Sequence, residues 1–505
     1  MAEDARTYEV PVRLPLPDLA ACVPDGGSVV SGPPLKLRAT YYDTADLRLT
    51  RAGAALRFCR GDDEPWSVRL PGAGAGISTT GPASTPPARL VELLTVHARG
   101  AELSPVATLA TVRRTHEVRG RDGRVAVEVV DDTVTVPDGR RVALRFREVT
   151  VSRRAGKARL VERVETMLRD AGATDGEPGS RLVRALGPAA SLPADWPTPP
   201  TLPRRPTVAD VVTVAIQRDI ARIVAHDPLV RLRATVGTDD TAVHQLRVGC
   251  RRLRSDLRTF GPVLDRAWCA GLRRELAWLA ATLGAARDAE VLRARLRATA
   301  ARDPLALPDP ASVARIDATL AARQEDAVCA LDKAMGEERY LRLLEALLGA
   351  CREPRVARHG HEPAEVVLPR LVARPFRRLA SGGDGIVGAG QLDPTGPDDA
   401  WHAVRINGKR ARYAVDAVAG VLAGEATALA NALGMVQDLL GEHQDAAIAA
   451  QTWLSIAAAE PDDHALAVTA GRLYERERAA VRAARTAFPR AWRAASRRRL
   501  TEWLR

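Results

Sequence analysis

Two short stretches of this chain place a histidine and a row of cations on one helical face. The first is His244-Gln-Leu-Arg247-Val-Gly-Cys-Arg251-Arg252-Leu-Arg254. The second, 158 residues later, is His402-Ala-Val-Arg405-Ile-Asn-Gly-Lys409-Arg410-Ala-Arg412. On a helix turning about 100° per residue, positions i, i+3, i+7 and i+10 fall within a stripe about 80° wide. His244, Arg247, Arg251 and Arg254 therefore share a face that Arg258 extends, and His402, Arg405, Lys409 and Arg412 repeat it. Arg252 and Arg410 sit beside their stripes. Aligned cations repel one another, so such a row needs counter-ions. A long polyanion supplies them, and the arginine fork suits phosphate oxygens. The plain alternative is a solvated basic face paired with acids on neighbouring helices. Further on, Leu283-Gly-Ala-Ala-Arg-Asp288 matches Leu440-Gly-Glu-His-Gln-Asp445, so Asp288 and Asp445 are placed to orient the cations. No carboxylate cluster with metal spacing accompanies the histidines, so they do not read as metal ligands.

A second set of candidate groups lies in the first 190 residues. Tyr8–Leu14 alternates, with Glu9, Pro11 and Arg13 on one side and Val10, Val12 and Leu14 on the other. Downstream, Arg57 and Arg69 point opposite to Leu56, Phe58, Val68 and Leu70. Arginines on the polar face of several strands line a barrel interior, and inward charges need a partner or a ligand.

These groups require two kinds of scaffold. Short alternating segments (8–14, 55–60, 66–70, 124–130 and 141–152) read as strands, residues 159–171 as one helix, and 71–87 as a Gly/Ser/Thr/Pro-rich loop. Many strands with little helix between them indicate an antiparallel barrel or sandwich. Proline is dense over 188–206, which extends the chain and marks a boundary. From Thr207 the pattern turns to long Ala/Leu/Arg helices, with a looser Pro/Gly-rich interruption at 351–400. The reading is α+β and multidomain: residues 1–190, a linker over 191–206, and an all-α duplicated bundle over 207–505 with repeats at about 207–350 and 360–505. Of the +12 net charge, residues 1–200 carry +3 and the remainder +9, so the basic excess belongs mainly to the helical half.

The helical motifs, together with Arg405-Ile-Asn-Gly-Lys-Arg-Ala-Arg-Tyr413 and Gln437-Asp-Leu-Leu-Gly-Glu-His-Gln-Asp445, resemble the CHAD family, the conserved-histidine α-helical domain. That resemblance covers roughly 207–505. It implies paired helical bundles whose basic central groove binds inorganic polyphosphate, through His244, Arg247, Arg251, Arg252, Arg254, His402, Arg405, Lys409, Arg410 and Arg412, with no cofactor needed.

Residues 6–187, and above all Tyr41-Tyr42-Asp43-Thr44 through Arg57 and Trp66-Ser-Val-Arg-Leu-Pro71, resemble the CYTH family, the triphosphate tunnel metalloenzymes. The resemblance implies an eight-stranded antiparallel tunnel in which basic side chains grip a triphosphate and glutamates hold Mg²⁺ or Mn²⁺ for hydrolysis. Arg13, Arg38, Arg57, Arg69, Arg113 (or Arg114) and Arg181 would then be the triphosphate-binding set, with Glu9 and Glu148 as catalytic and metal residues. The departures are one-sided. The family's opening Glu-x-Glu-x-Lys reads Glu9-Val-Pro11-Val-Arg13 here, the late strand keeps only Glu148 in Glu148-Val-Thr150-Val-Ser152, and the terminal Ser-Lys is Ser180-Arg181. Cations survive, while the acids reduce to Glu9, Glu148 and a choice among Glu128, Asp131 and Asp132. Since Mg²⁺ is bound through carboxylates, water and substrate oxygens, a tunnel so depleted binds phosphate chains weakly or without catalysis.

The resulting expectation is a polyphosphate-binding protein with a degenerate tunnel, a binder rather than an enzyme. An active metal-dependent triphosphatase or polyphosphatase in the tunnel is the alternative, and nucleic-acid binding a second one. A pI near 10.0 invites the latter, but aromatic residues are only 4% and none interleave with the basic stripes to stack bases. Adenylyl cyclase chemistry needs the acids that are missing. Of the 74 basic residues all but four are arginine, a bias of a GC-rich bacterial genome. The six cysteines show no zinc spacing and read as small buried hydrophobes of a reducing compartment. With an acidic start lacking a secretory signal and no long uncharged apolar run, the expected location is the cytoplasm, away from membranes and in association with polyphosphate granules.

Overall fold

A computed structural model describes residues 5–23, 26–72, 76–138, 141–176, 180–237, 240–302 and 307–504. The chain forms two compact units, Met1–Trp196 and Pro197–Arg505. The division falls inside the proline-rich segment because its first part is tied down. Asp195 takes an ion pair from Arg51 at 3.0 Å and another from Arg99, and Trp196 Nε1 donates to the Val96 carbonyl at 3.1 Å.

The first unit is an antiparallel sheet of ten strands: β1 (Ala5–Val10), β2 (Ser28–Ser31), β3 (Leu35–Asp43), β4 (Ala55–Arg60), β5 (Trp66–Arg69), β6 (Ile77–Thr79), β7 (Ser104–Arg119), β8 (Val125–Asp138), β9 (Arg141–Arg153) and β10 (Thr174–Asp175). The order is β10-β1-β9-β8-β7-β3-β4-β5-β6, with β2 on β7. No ladder joins β6 to β10 among the described residues, so the tunnel expected from the resemblance is an open sheet here. Short helices α1 (Arg48–Arg51), α2 (Ala88–Glu92) and α3 (Thr95–Ala98) follow the early strands, and α4 (Ala158–Asp170) and α5 (Ser180–Leu186) close the unit. Alternation decides the faces. Tyr8 and Val10 of β1, Val127 and Val129 of β8 and Val149 and Val151 of β9 bury against Leu160, Val164 and Leu168 of α4. Glu9 and Glu148 consequently project from the other face. Asp43, in the motif that carries the resemblance, serves architecture. It is buried and accepts from the backbone N–H groups of Thr44, Leu49 and Thr50, anchoring α1. The loop expected at 71–87 contains β6; its residues 73–75 lie outside the described residues.

The second unit is helical: α6 (Val208–Arg231), α7 (Ala242–Thr259), α8 (Arg266–Ala301), α9 (Pro310–Gly336), α10 (Glu338–Arg352), α11 (Ala364–Ser381), α12 (Asp398–Ala458) and α13 (His464–Ala495). Thr207 caps α6 in a capping box with Asp210. The Pro/Gly-rich interruption contains α11, an 18-residue helix that carries Pro369 and Pro375 within it. By length and composition α12 contains a stretch apolar enough to cross a membrane, yet the chain reverses there. Ala423 leaves helical geometry at φ 28°, ψ −108°, and Arg405 lies 3.8 Å from Asp445. Forty residues of straight helix would hold them about 60 Å apart. The two arms of α12 thus correspond to α7 and α8. Leu296, Ile316 and Leu320 of the first repeat share a core with Trp453, Leu466 and Leu473 of the second. Five cysteines are buried and Cys329 is exposed, all unbridged.

Candidate functional site: a cation-lined cavity between helical repeats

The expected row of ten side chains separates into three groups and a lone His402. The central group is His244, Arg247 and Arg251 of α7 with Arg405 and Lys409 of α12, which line one cavity of about 460 Å³. Its symmetry is explicit. Arg247 Nη2 is 3.7 Å from Asp288 Oδ1, and Arg405 Nη2 is 3.8 Å from Asp445 Oδ1. Both contacts exceed the 2.7–2.9 Å of a strong charged hydrogen bond, so each aspartate aims its arginine without closing it off. Arg251 and Lys409, the equivalent pair between them, have no acid within ion-pair distance among the described residues. Arg251 instead rests on the Tyr413 ring, 5.5 Å from its centre. Arg287, which the motif reading passed over, also lines the cavity but is held by Glu290 at 3.0 Å. His402 is fixed by its Nδ1 contact with Gln444 Oε1 at 2.6 Å. Burial, and the arginines around it, hold the His244 imidazole below its usual pKa against the opposing pull of Asp240.

Burial is the first cause, and the neighbouring Arg405, Arg251 and Arg247 the next, that push the Lys409 ammonium down to about 7. A bound polyanion reverses this by favouring the charged form. Binding then takes up a proton, and affinity falls as pH rises from about 7 toward the ordinary lysine value near 10.4. Calorimetry at pH 8 in buffers of different ionisation enthalpy is expected to show uptake approaching one proton, abolished in Lys409→Met. Identical uptake in both proteins would remove Lys409 from the site.

The second group, Arg252 and Arg412, turns away from the cavity to an acidic cluster. Arg412 is 3.8 Å from Asp416, Arg218 is 3.2 Å from Asp219 and 3.3 Å from Asp256, and Arg252 adds its field to all three acids. The third group, Arg254 and Arg410, faces the opposite way, toward Arg273. Periodicity placed all ten on two helices; only the packing of neighbouring helices sorted them.

In the sheet unit, Arg57, Arg69, Arg113 and Arg181 line a cavity of about 410 Å³ together with Glu148 and Tyr41. Arg13 and Arg38 do not join them. Pro11 lacks the N–H that would continue β1, so the strand ends at Val10 and Arg13 sits exposed in the turn closed by Leu14 N–H to the Pro11 carbonyl. Arg38 is three residues from Tyr41, which pairs across with Arg57; an odd offset puts it on the other face.

The candidate acids are engaged. Registers align Glu9 with Glu148, Glu148 with Asp132, and Asp132 with Arg113 across four strands. Arg113 makes a two-pronged bond to Asp132 at 2.9 and 2.8 Å. Arg181 bonds Glu148 and reaches Asp132 at 2.8 Å. Arg184 lies 3.0 Å from Glu9 and 3.9 Å from Glu148. Asp132 and Glu148 are 0% and 2% exposed. Arg184 and Asp132 were the parts that sequence reasoning missed or left open, although the Arg181/Arg184 spacing of three puts both on one face of α5. Carboxylate oxygens already committed to three guanidinium groups do not suit a divalent cation, and the described residues hold no cluster of three or more His, Cys, Asp or Glu placed to bind one. Glu148 is paired with Arg181 and Glu9 with Arg184 in this arrangement. By contrast, Arg57 donates to Ser67 Oγ at 2.9 Å, and among the described residues neither Arg57 nor Arg69 makes an ion pair.

The two domains agree with what comparison with known protein families finds. The CYTH domain model matches residues 26–167 and the CHAD domain model residues 214–454. The chain thus carries a CYTH domain followed by a CHAD domain. An uncharacterised protein of Mycobacterium tuberculosis, found in strains CDC 1551 and H37Rv, is 29% identical over 483 residues, 89% of this chain and 88% of its own. Among solved structures, PptA from Streptomyces chartreusis is 25% identical over 57% of this chain and 99% of its own, with a TM-score of 0.46. The CHAD domain of the plant Ricinus communis is 24% identical over 57% and 95%, with a TM-score of 0.42.

Proposed function

We propose that this protein binds inorganic polyphosphate in the cavity between its helical repeats, and that its sheet unit binds phosphate chains without hydrolysing them. One observation carries the reading. Rows from two repeats converge on one cavity, each led by an arginine steered by an aspartate, and between them Arg251 and Lys409 make no ion pair among the described residues. A chain of phosphates meets such a surplus with oxygens at many points, whereas a single carboxylate would not.

Titration of the full chain with long-chain polyphosphate is expected to give binding that weakens steeply with added salt and resists competition by duplex DNA. Displacement by DNA at equal phosphate would move the site to nucleic acid. The sheet unit is tested by phosphate release from tripolyphosphate with Mg²⁺ or Mn²⁺. The expected rate is that of the metal alone. Release that disappears in Glu9→Gln or Glu148→Gln would reinstate a hydrolase.

A further inference from the structure

The two repeats are not equivalent at their outer ends. Val208, Val212, Ile216, Ile220 and Ile223 of α6 superpose in pattern on Ala364, Leu368, Val372, Phe376 and Leu379 of α11, all buried. In that register Arg218 and Arg222 correspond to Arg374 and Arg378, and Asp219 to Pro375. The matched histidine helices make Arg252 correspond to Arg410, Asp256 to Ala414, and Arg258 to Asp416. At the first end, Asp219, Asp256 and Asp416 answer Arg218, Arg252 and Arg412. At the second end all three acids are gone, replaced by Pro375, Ala414 and Arg258.

What remains is a pocket of about 310 Å³ lined by Arg258, Arg370, Arg374, Arg378 and Arg410, with no carboxylate in its wall. Arg378 is 2.5 Å from Asp384, a side chain outside the lining. Arg410 Nη1 reaches only Asn407 Oδ1 at 3.4 Å, and Nε of both Arg378 and Arg410 is buried without a hydrogen-bond partner. Among the described residues Arg258, Arg370 and Arg374 make no ion pair. Partial desolvation, then Arg410, Arg273 and Arg254, push the Arg258 guanidinium down to about 10, as expected of cations lacking counter-ions. Arg247, Arg251, Arg254 and Arg258 share one face of α7, so the row that begins in the central cavity ends here.

We infer that this pocket is a second anion site, specific to one end of the pseudo-symmetric unit, which holds a compact phosphoryl group through converging guanidinium forks. The group is either the terminal phosphate of a chain lying along α7 or a free short oligophosphate. The first source rests on the proposed function; the second does not.

The test uses the full chain carrying Arg57→Gln and Arg69→Gln in the sheet cavity and Arg247→Gln, Arg251→Gln, Arg405→Gln and Lys409→Met in the central one, which strip both of the cations proposed to hold an anion. Into it are placed Arg258→Asp, which copies Asp416 at an exposed position, or Arg374→Gln with Arg378→Gln; thermal melts confirm that the fold is kept. Tripolyphosphate affinity is expected to fall about tenfold or more in both variants. Unchanged tripolyphosphate affinity would overturn the site. Long polyphosphate, with ends free or blocked as phosphoramidates, is compared in the parent chain that retains Arg57, Arg69, Arg247, Arg251, Arg405 and Lys409. If the chain end occupies the pocket, blocking weakens binding and the pocket variants bind free and blocked chains alike. If only free oligophosphate occupies it, blocking changes nothing while the loss of tripolyphosphate binding stands. Failure of the central cavity would appear separately, as long-chain binding indifferent to Arg405.

Discussion

Reversing charge at Arg247, Arg251 and Arg405 together is expected to abolish long-chain polyphosphate binding, a loss of at least about a thousandfold. A hydrogen bond to a charged group contributes about 1.5–3 kcal/mol, and each reversal also adds repulsion where there was attraction. The three side chains come from both repeats and line one cavity, so their effects act on the same ligand. Removing positive charge also flattens the dependence of log affinity on log salt, since fewer counter-ions are released. Glu substitution leaves Asp288 and Asp445, the latter half-buried, beside new acids, so the thermal transition of the triple variant must be followed as well. An intact fold with undiminished polyphosphate binding would place the ligand elsewhere.

The second large effect concerns stability. Arg181→Met removes the side chain that answers both Glu148 and Asp132, two acids almost wholly excluded from water. Breaking a buried pair from one side costs about 3–5 kcal/mol. Arg113 still holds Asp132, and Arg184 is 3.9 Å from Glu148, so the lower figure is expected. For a unit of this size that is roughly 6–12 °C in its melting transition. The pH dependence has a definite sign. Burial alone would raise the Asp132 carboxyl, but Arg113 and Arg181 hold it below its ordinary value. With the folded pKa depressed, the stabilisation is present above the unfolded value near 4 and is lost as pH falls through the lower folded value. The gap between wild type and Arg181→Met should therefore be full at pH 6–7 and narrow toward pH 3. Calorimetric scans over that range check it; a gap constant with pH would mean that the network is not what Arg181 supports.

Both predictions show where reading the chain stopped. Helical period alone aligned His244 with Arg247 and Arg251, and His402 with Arg405 and Lys409, because a face of a helix follows from spacing. The match of Leu283–Asp288 with Leu440–Asp445 anticipated the buttressing of each arginine. Alternation along β1, β4 and β5 put Glu9, Arg57 and Arg69 on one face for the same reason. Pro11 ended β1 sooner than alternation implied, since a missing donor outweighs a pattern, and Arg13 left the cavity with it. Pro369 and Pro375 argued against a helix that burial of Leu368, Val372 and Phe376 nonetheless secures.

Composition and periodicity by themselves determined two units of different architecture and two matching cation rows. Which cations line a cavity and which meet an acid was settled only in three dimensions. Arg252 and Arg410 are equivalent in the repeat, yet one faces Asp219, Asp256 and Asp416 and the other faces Arg258, Arg273 and Arg378. Likewise only the return of α5 shows that Glu148 is paired with Arg181. Spacing within one element orders side chains around its own axis. The field each one feels comes from residues far away in the chain, and folding brings those within a few ångströms.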